Sequence, residues 1–135
     1  MCFDRIDNKN CHRYESPNNP IITNDIAKTT IERNGIQLGK YKGQPIAVGG
    51  WATLTGEIMS FIEDSYIWSS IPDFPCNRLN SSLPCPEKDF IYWYASVSTL
   101  NSYIIMGGTI TGSEKRDGIV EFKNNQWAPL VILCI

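Results

Sequence analysis

Histidine is almost missing from this chain. His12 is the only one in 135 residues, so neither a histidine-bearing metal cluster nor a Ser-His-Asp set can be assembled in the usual way. Basic blocks are missing as well. Lys and Arg number 12 against 14 Asp and Glu, for a net charge of −2, which removes the electrostatic footprint of a nucleic-acid or anionic-membrane binder. No apolar run approaches the ~20 residues of a membrane-spanning helix, so no span is expected. Residues 1–10 lack the apolar core of a signal peptide. That favours the cytoplasm, with secretion left open if the true start lies upstream. Gly49-Gly50 is not followed by the GK[ST] of a phosphate loop. The carboxylate pairs Glu63-Asp64 and Glu114/Asp117 stand beside turn residues and read as solvated loops. No catalytic residue, metal ligand or cofactor is expected, and the chain reads as a non-enzyme.

Cysteine is present in an odd number, at positions 2, 11, 76, 85 and 134, so the five cannot all pair within one chain. Cys2/Cys11 and Cys76/Cys85 are each nine apart, unlike the tight CxxC of a zinc site. Free thiols fit a chain without an export signal. A Cys76–Cys85 bridge fits a secreted one, as does the glycosylation triplet Asn80-Ser81-Ser82. Both readings stay open.

What the chain does have is one unit used twice. Ile46-Ala47-Val48-Gly49-Gly50 is followed by Glu57-Ile58-Met59 and Ile67-Trp68. Ile104-Ile105-Met106-Gly107-Gly108 is followed by Ile119-Val120-Glu121-Phe122 and Gln126-Trp127. The second Gly precedes the Trp by 18 residues in one copy and by 19 in the other. Short runs of β-branched and aromatic residues suit buried strands. A Gly doublet at a strand end permits unusual φ and close approach, and the later indole is expected to cover that bare backbone. A unit of this kind needs neighbours of its own kind to bury both faces.

Strands are expected at 36–41, 45–48, 57–62 and 66–71 in the first unit, and at 94–100, 103–108, 118–123 and 126–130 in the second. Hairpin turns fall at Lys42-Gly43, Glu63-Asp64-Ser65 and Asn124-Asn125. Residues 109–117 read as a long loop. Residues 76–89, rich in Pro, Ser and Asn, read as a surface insertion. Residues 10–15 and 21–23 read as the third and fourth strands of a unit whose first half is missing.

The pattern resembles the kelch repeat. The resemblance is carried by Gly49-Gly50 and Gly107-Gly108, by Trp68 and Trp127, and by Arg33-Asn34-Gly35, which looks like the Arg-containing link between kelch units. Glu121-Phe122 and Phe61 depart from the usual Tyr of the third strand. The resemblance implies an all-β fold made of antiparallel four-stranded blades of a partial propeller, about two and a half blades. The organisation expected is a partial blade in 1–32, a unit in 33–75, an inserted loop in 76–90, and a unit with a tail in 91–135. Propellers hold roughly 4–8 blades, so the reading is a fragment of a larger propeller, or a chain that self-associates to complete one. The function implied is a non-catalytic protein- or peptide-binding module. The loops after the second and fourth strands would carry the partner on Asn34, Trp51, Thr53, Thr55, Arg78, Asn80, Thr111, Ser113 and Arg116, with Arg and Trp as the anchors. The alternative is a remnant of an extracellular enzyme or glycan-binding propeller.

Overall fold

The computed structural model of the chain describes residues 29–51, 53–75, 91–110, 114–115 and 118–130. The half-blade expected in 10–23, the insertion 76–90 with Cys76 and Cys85, and the run 131–135 lie outside the described residues. Among the described residues the protein is all-β, and no helix there is long and apolar enough to cross a membrane.

The first sheet takes four strands in chain order: β1 (Gly39–Tyr41), β2 (Gln44–Val48), β3 (Gly56–Ile62) and β4 (Ser65–Ile71). All neighbours are antiparallel. Two-residue turns close its outer hairpins, with Lys42 and Gly43 at φ 49° and 81° and Glu63 and Asp64 at 49° and 62°. Positive φ at both central positions matches the right-handed twist of the flanking strands. β1 begins at Gly39 rather than at the expected Ile36. The Gln37 carbonyl accepts from the Tyr103 hydroxyl at 3.0 Å instead of from a ladder amide, with the Tyr94 hydroxyl 3.3 Å away.

The expected loop 109–117 is corrected, and a short strand not expected precedes the second unit's first long one. β5 (Ile91–Tyr92) pairs with β8 (Thr109–Ile110), which pairs with β9 (Glu114–Lys115). Strands of two residues have no periodicity to read. The second four-stranded sheet consists of β6 (Ala95–Ser98), β7 (Tyr103–Met106), β10 (Ile119–Lys123) and β11 (Gln126–Pro129), in the order β11-β10-β7-β6. Its last hairpin turns at Asn124 and Asn125, at φ 51° and 61°.

The two sheets share one register. Trp68 stands opposite Met59, and Trp127 opposite Phe122. Ala47 pairs with Glu57, and Ile105 with Val120. The similar Gly-to-Trp spacing hides two offsetting changes. Met59 lies nine residues after Gly50 and Trp68 nine further, whereas Phe122 lies fourteen after Gly108 and Trp127 only five further. The second unit lengthens its inner loop and shortens its outer hairpin.

One face of each sheet meets the other. Tyr41, Ile46, Val48 and Ile71 of the first sheet join Tyr103, Ile105, Val120 and Phe122 of the second in one core, with Ile58 and Trp127 packed against it. Tyr41 meets the Phe122 ring edge-on at 4.9 Å. Trp127 lies 5.0 Å from Phe74 and donates its Nε1–H to the Pro72 carbonyl at 2.8 Å. Each such buried side chain contributes about 1.5–3 kcal/mol. The first sheet's opposite face is buried too, at Ala47, Glu57 and Trp68. The second sheet's opposite face, with Ile104, Met106, Ile119 and Glu121, is half-buried.

Candidate functional site

The site is built where residues 29–35 cross the doublet end of the first sheet. Arg33 is fully buried and lies against Glu57, their side chains 0% and 2% exposed. Arg33 Nη2 reaches Glu57 Oε2 at 2.7 Å and Nε reaches the same oxygen at 3.2 Å. Nη1 donates to the carbonyls of Gly49 and Thr55, each at 2.7 Å, and Nη2 to Thr55 Oγ1 at 3.1 Å. Glu57 Oε1 accepts from the amide and hydroxyl of Thr30 at 2.9 and 2.8 Å. Every guanidinium direction is thus used, the condition under which a buried pair repays its desolvation. The chemical consequence is positional: the segment that carries Asn34 is fixed to the strand ends.

The glycine doublet makes room for this segment. Gly49 has φ 66° and Gly50 φ 118°. A Cβ on Gly49 would collide with the Ile91 carbonyl and side chain, and one on Gly50 would lie 3.1 Å from Arg33 Cα. Close approach is therefore what the doublet provides, as expected, but its nearest neighbours are Ile91 and Arg33 and not Trp68. Trp68 stands two strands away, on β4.

Main-chain bonds then set two indoles side by side with Asn34-Gly35. The Trp51 amide donates to the Asn34 carbonyl at 3.1 Å, and the Trp93 amide to the Gly35 carbonyl at 2.6 Å. Gly50 donates to the Ile91 carbonyl at 2.7 Å and Ile91 to that of Thr53 at 3.3 Å, tying the two halves of the chain together. Trp93 has φ 53°, a conformation a bulky aromatic rarely adopts and one that costs on the order of 1–3 kcal/mol. The indoles are 61% and 74% exposed. Together with Asn34 and Gly35 they line an open cleft of about 320 Å³.

Four of the expected partner-binding residues, Asn34, Trp51, Thr53 and Thr55, come together here. Asn34 and Trp51 line the cleft. The hydroxyls of Thr53 and Thr55 bond to each other at 2.9 Å, and Thr55 accepts from Arg33, so this pair is tied to the segment that carries Asn34. Arg78, Asn80, Thr111, Ser113 and Arg116 lie outside the described residues. Sequence reasoning missed Gly35 and Trp93 as lining and Arg33 as support. The signal for Arg33 was the link Arg33-Asn34-Gly35; Trp93 stood out only as an aromatic outside the repeat's indole position.

Among the described residues the cleft is lined by two indoles, one side-chain amide and a glycine, and by no ionisable side chain. Among the described residues no three His, Cys, Asp or Glu converge on a metal-sized space. In comparison with known proteins, no family model matches the chain and no curated protein matches it.

Proposed function

We propose that the chain is a non-catalytic module of kelch type that binds a protein or peptide partner, and that it forms part of a larger propeller or completes one by association with further copies. The observation that carries the binding reading is the Trp51–Trp93 cleft. Two exposed indoles are concentrated at one end of an otherwise ordinary sheet pair, on a segment held by a buried ion pair. Tryptophan is enriched among residues that dominate binding energy, and a preorganised site lowers the ordering cost of association. The propeller reading is supported by two sheets in one register stacked face to face, and by the half-buried Ile104, Met106 and Ile119 on the second sheet's outer face.

The test is selection of displayed peptides on the intact chain, followed by anisotropy titration of the selected sequences against wild type and Trp51→Ala. The expected result is enrichment of a common motif whose affinity falls roughly tenfold or more in the variant. Selected peptides that bind both proteins equally would remove the cleft from the reading.

A further inference from the structure

The edges of the two four-stranded sheets are not treated alike. β1 and β6 meet each other, with the Lys40 amide donating to Ser98 Oγ at 2.8 Å. β11 is four residues long, ends in Pro129 and has Lys123 opposite its first residue. Short length, proline and lysine are the usual guards of a strand edge. β4 has none of them. It stands last in its sheet, runs for seven residues as Ser-Tyr-Ile-Trp-Ser-Ser-Ile, and carries no charge, proline or glycine. Ser65, Ile67, Ser69 and Ser70 are exposed, on both faces of the strand.

The register shows what this edge offers. The β3–β4 hairpin turns through two residues, so Ile62 and Ser65 exchange both main-chain bonds, and bonded and non-bonded pairs alternate from there. Tyr66 and Ser70, opposite Phe61 and Glu57, fall in non-bonded pairs and turn their N–H and C=O away from β3. The hairpin runs three residue pairs past Trp68, whereas its counterpart runs one past Trp127. The added length brings out Phe61, Ile62 and Ile67, 60%, 50% and 42% exposed, with the Tyr66 ring 4.9 Å from that of Phe61.

Charge selects the occupant. The uncharged strand is flanked by exposed acids at both ends, Glu63 and Asp64 before it and Asp73 after it. A second copy pairing antiparallel along the whole strand would set Glu63 against Asp73, and like charges opposite each other destabilise a ladder. A segment with basic ends meets opposite charge at each end, whichever way it runs. We propose that β4 accepts an extended segment of a partner as a fifth strand, uncharged and β-branched in its middle and carrying lysine or arginine at both ends. Main-chain bonds give such a pairing its affinity, and the side chains beside Tyr66 and Ile67 give it selectivity. This surface is separate from the Trp51–Trp93 cleft and does not depend on it.

Anisotropy titration of the full 135-residue chain tests the assignment with three labelled, end-capped peptides. They are a Thr-Val repeat with lysines at both ends, the same peptide with alternate amides methylated, and the same repeat with glutamates in place of the lysines. Saturable binding of the unmethylated lysine peptide alone is expected, weakening as salt is raised. Ile67→Lys, an exposed position whose backbone is left intact, should weaken it roughly tenfold or more, with circular dichroism unchanged. Asp64→Asn with Asp73→Asn should flatten the salt dependence, and Trp51→Ala should leave binding as it is. Absence of binding, equal binding of the methylated or the glutamate peptide, or unchanged affinity in Ile67→Lys overturns the proposal. So does loss of binding in Trp51→Ala, which would place the peptide in the cleft. A wild-type dimer that Ile67→Lys converts to monomer in sedimentation would give the edge to a second copy and overturn it as well.

Discussion

The two four-stranded sheets share strand pairing and indole position, yet they fill the same register site with opposite chemistry. Opposite Ala47 the first sheet carries Glu57, buried with Arg33; opposite Ile105 the second carries Val120, buried among apolar side chains. The acid has moved by one residue, from Glu57-Ile58 to Val120-Glu121, and one residue along a strand means the other face. The first sheet therefore turns its carboxylate toward residues 29–33 and Ile58 toward the second sheet. The second sheet turns Val120 toward the first and Glu121 outward. An apolar residue asks only for contact, whereas a buried carboxylate demands directional partners. The first sheet holds a connecting segment in one position, and the second holds another sheet.

The largest test of that comparison removes the carboxylate. Glu57→Ala leaves the Arg33 guanidinium buried without its counter-charge and should cost about 3–5 kcal/mol, read as a fall in the urea midpoint. Val120→Ala, at the same register in the second sheet, should cost about 2 kcal/mol through lost packing. The double change Arg33→Met with Glu57→Val sharpens the point. If the pair serves position more than stability, the double variant recovers to within about 1 kcal/mol of wild type. A double variant as unstable as Glu57→Ala would show that Arg33 is needed for more than its partner.

A smaller effect is expected at the junction. Tyr94, which precedes the second sheet, donates to the Val48 carbonyl of the first at 2.8 Å. Tyr94→Phe should cost about 1–3 kcal/mol by leaving that buried acceptor unmatched. Burial, reinforced by the nearby Tyr103, raises the Tyr94 hydroxyl well above its usual ionisation range, and burial raises Tyr103 as well. Because the folded state favours the protonated phenols, their contribution is fully present below the unfolded value near pH 10 and is lost as pH rises toward the folded values. Unfolding free energy should decline above about pH 10, and less steeply in Tyr94→Phe. Equal slopes would mean that Tyr94 does not carry the dependence.

Much of the frame was readable from residue order, and the reason is physical. The alternation in 57–62 and the apolar runs before each doublet report burial directly, and the turn residues 42–43, 63–64 and 124–125 report φ. The site was only half readable. Asn34 and Trp51 stood in the expected loops, but Trp93 reaches the cleft through a 2.6 Å main-chain bond to Gly35 that no side-chain pattern encodes. Arg33 in the link carried no sign that its partner would be Glu57, because alternation shows which face a residue takes and not what covers that face. The short strands 91–92, 109–110 and 114–115 were invisible for want of a period. Spacing did not show that Ile91 and Arg33, and not Trp68, lie nearest Gly49-Gly50, because it counts residues, whereas contact depends on which strands lie side by side.

The smallest effect separates the sheets at their outer hairpins. Both close with a two-residue turn in which each central residue has positive φ: Glu63-Asp64 in the first sheet and Asn124-Asn125 in the second. Asn adopts this conformation readily because its short amide bonds to local backbone. Glu does not, and a residue with a full side chain incurs roughly 1–2 kcal/mol there. Glu63 is exposed, so exchanging it disturbs no core contact. Glu63→Asn should therefore stabilise the protein by about 0.5–1 kcal/mol, part of that backbone cost, as a rise in the thermal midpoint. Asn124→Glu should lose a similar amount. If the two changes move stability in the same direction, the turns are not equivalent, and the shared register of the sheets ends before their outer hairpins.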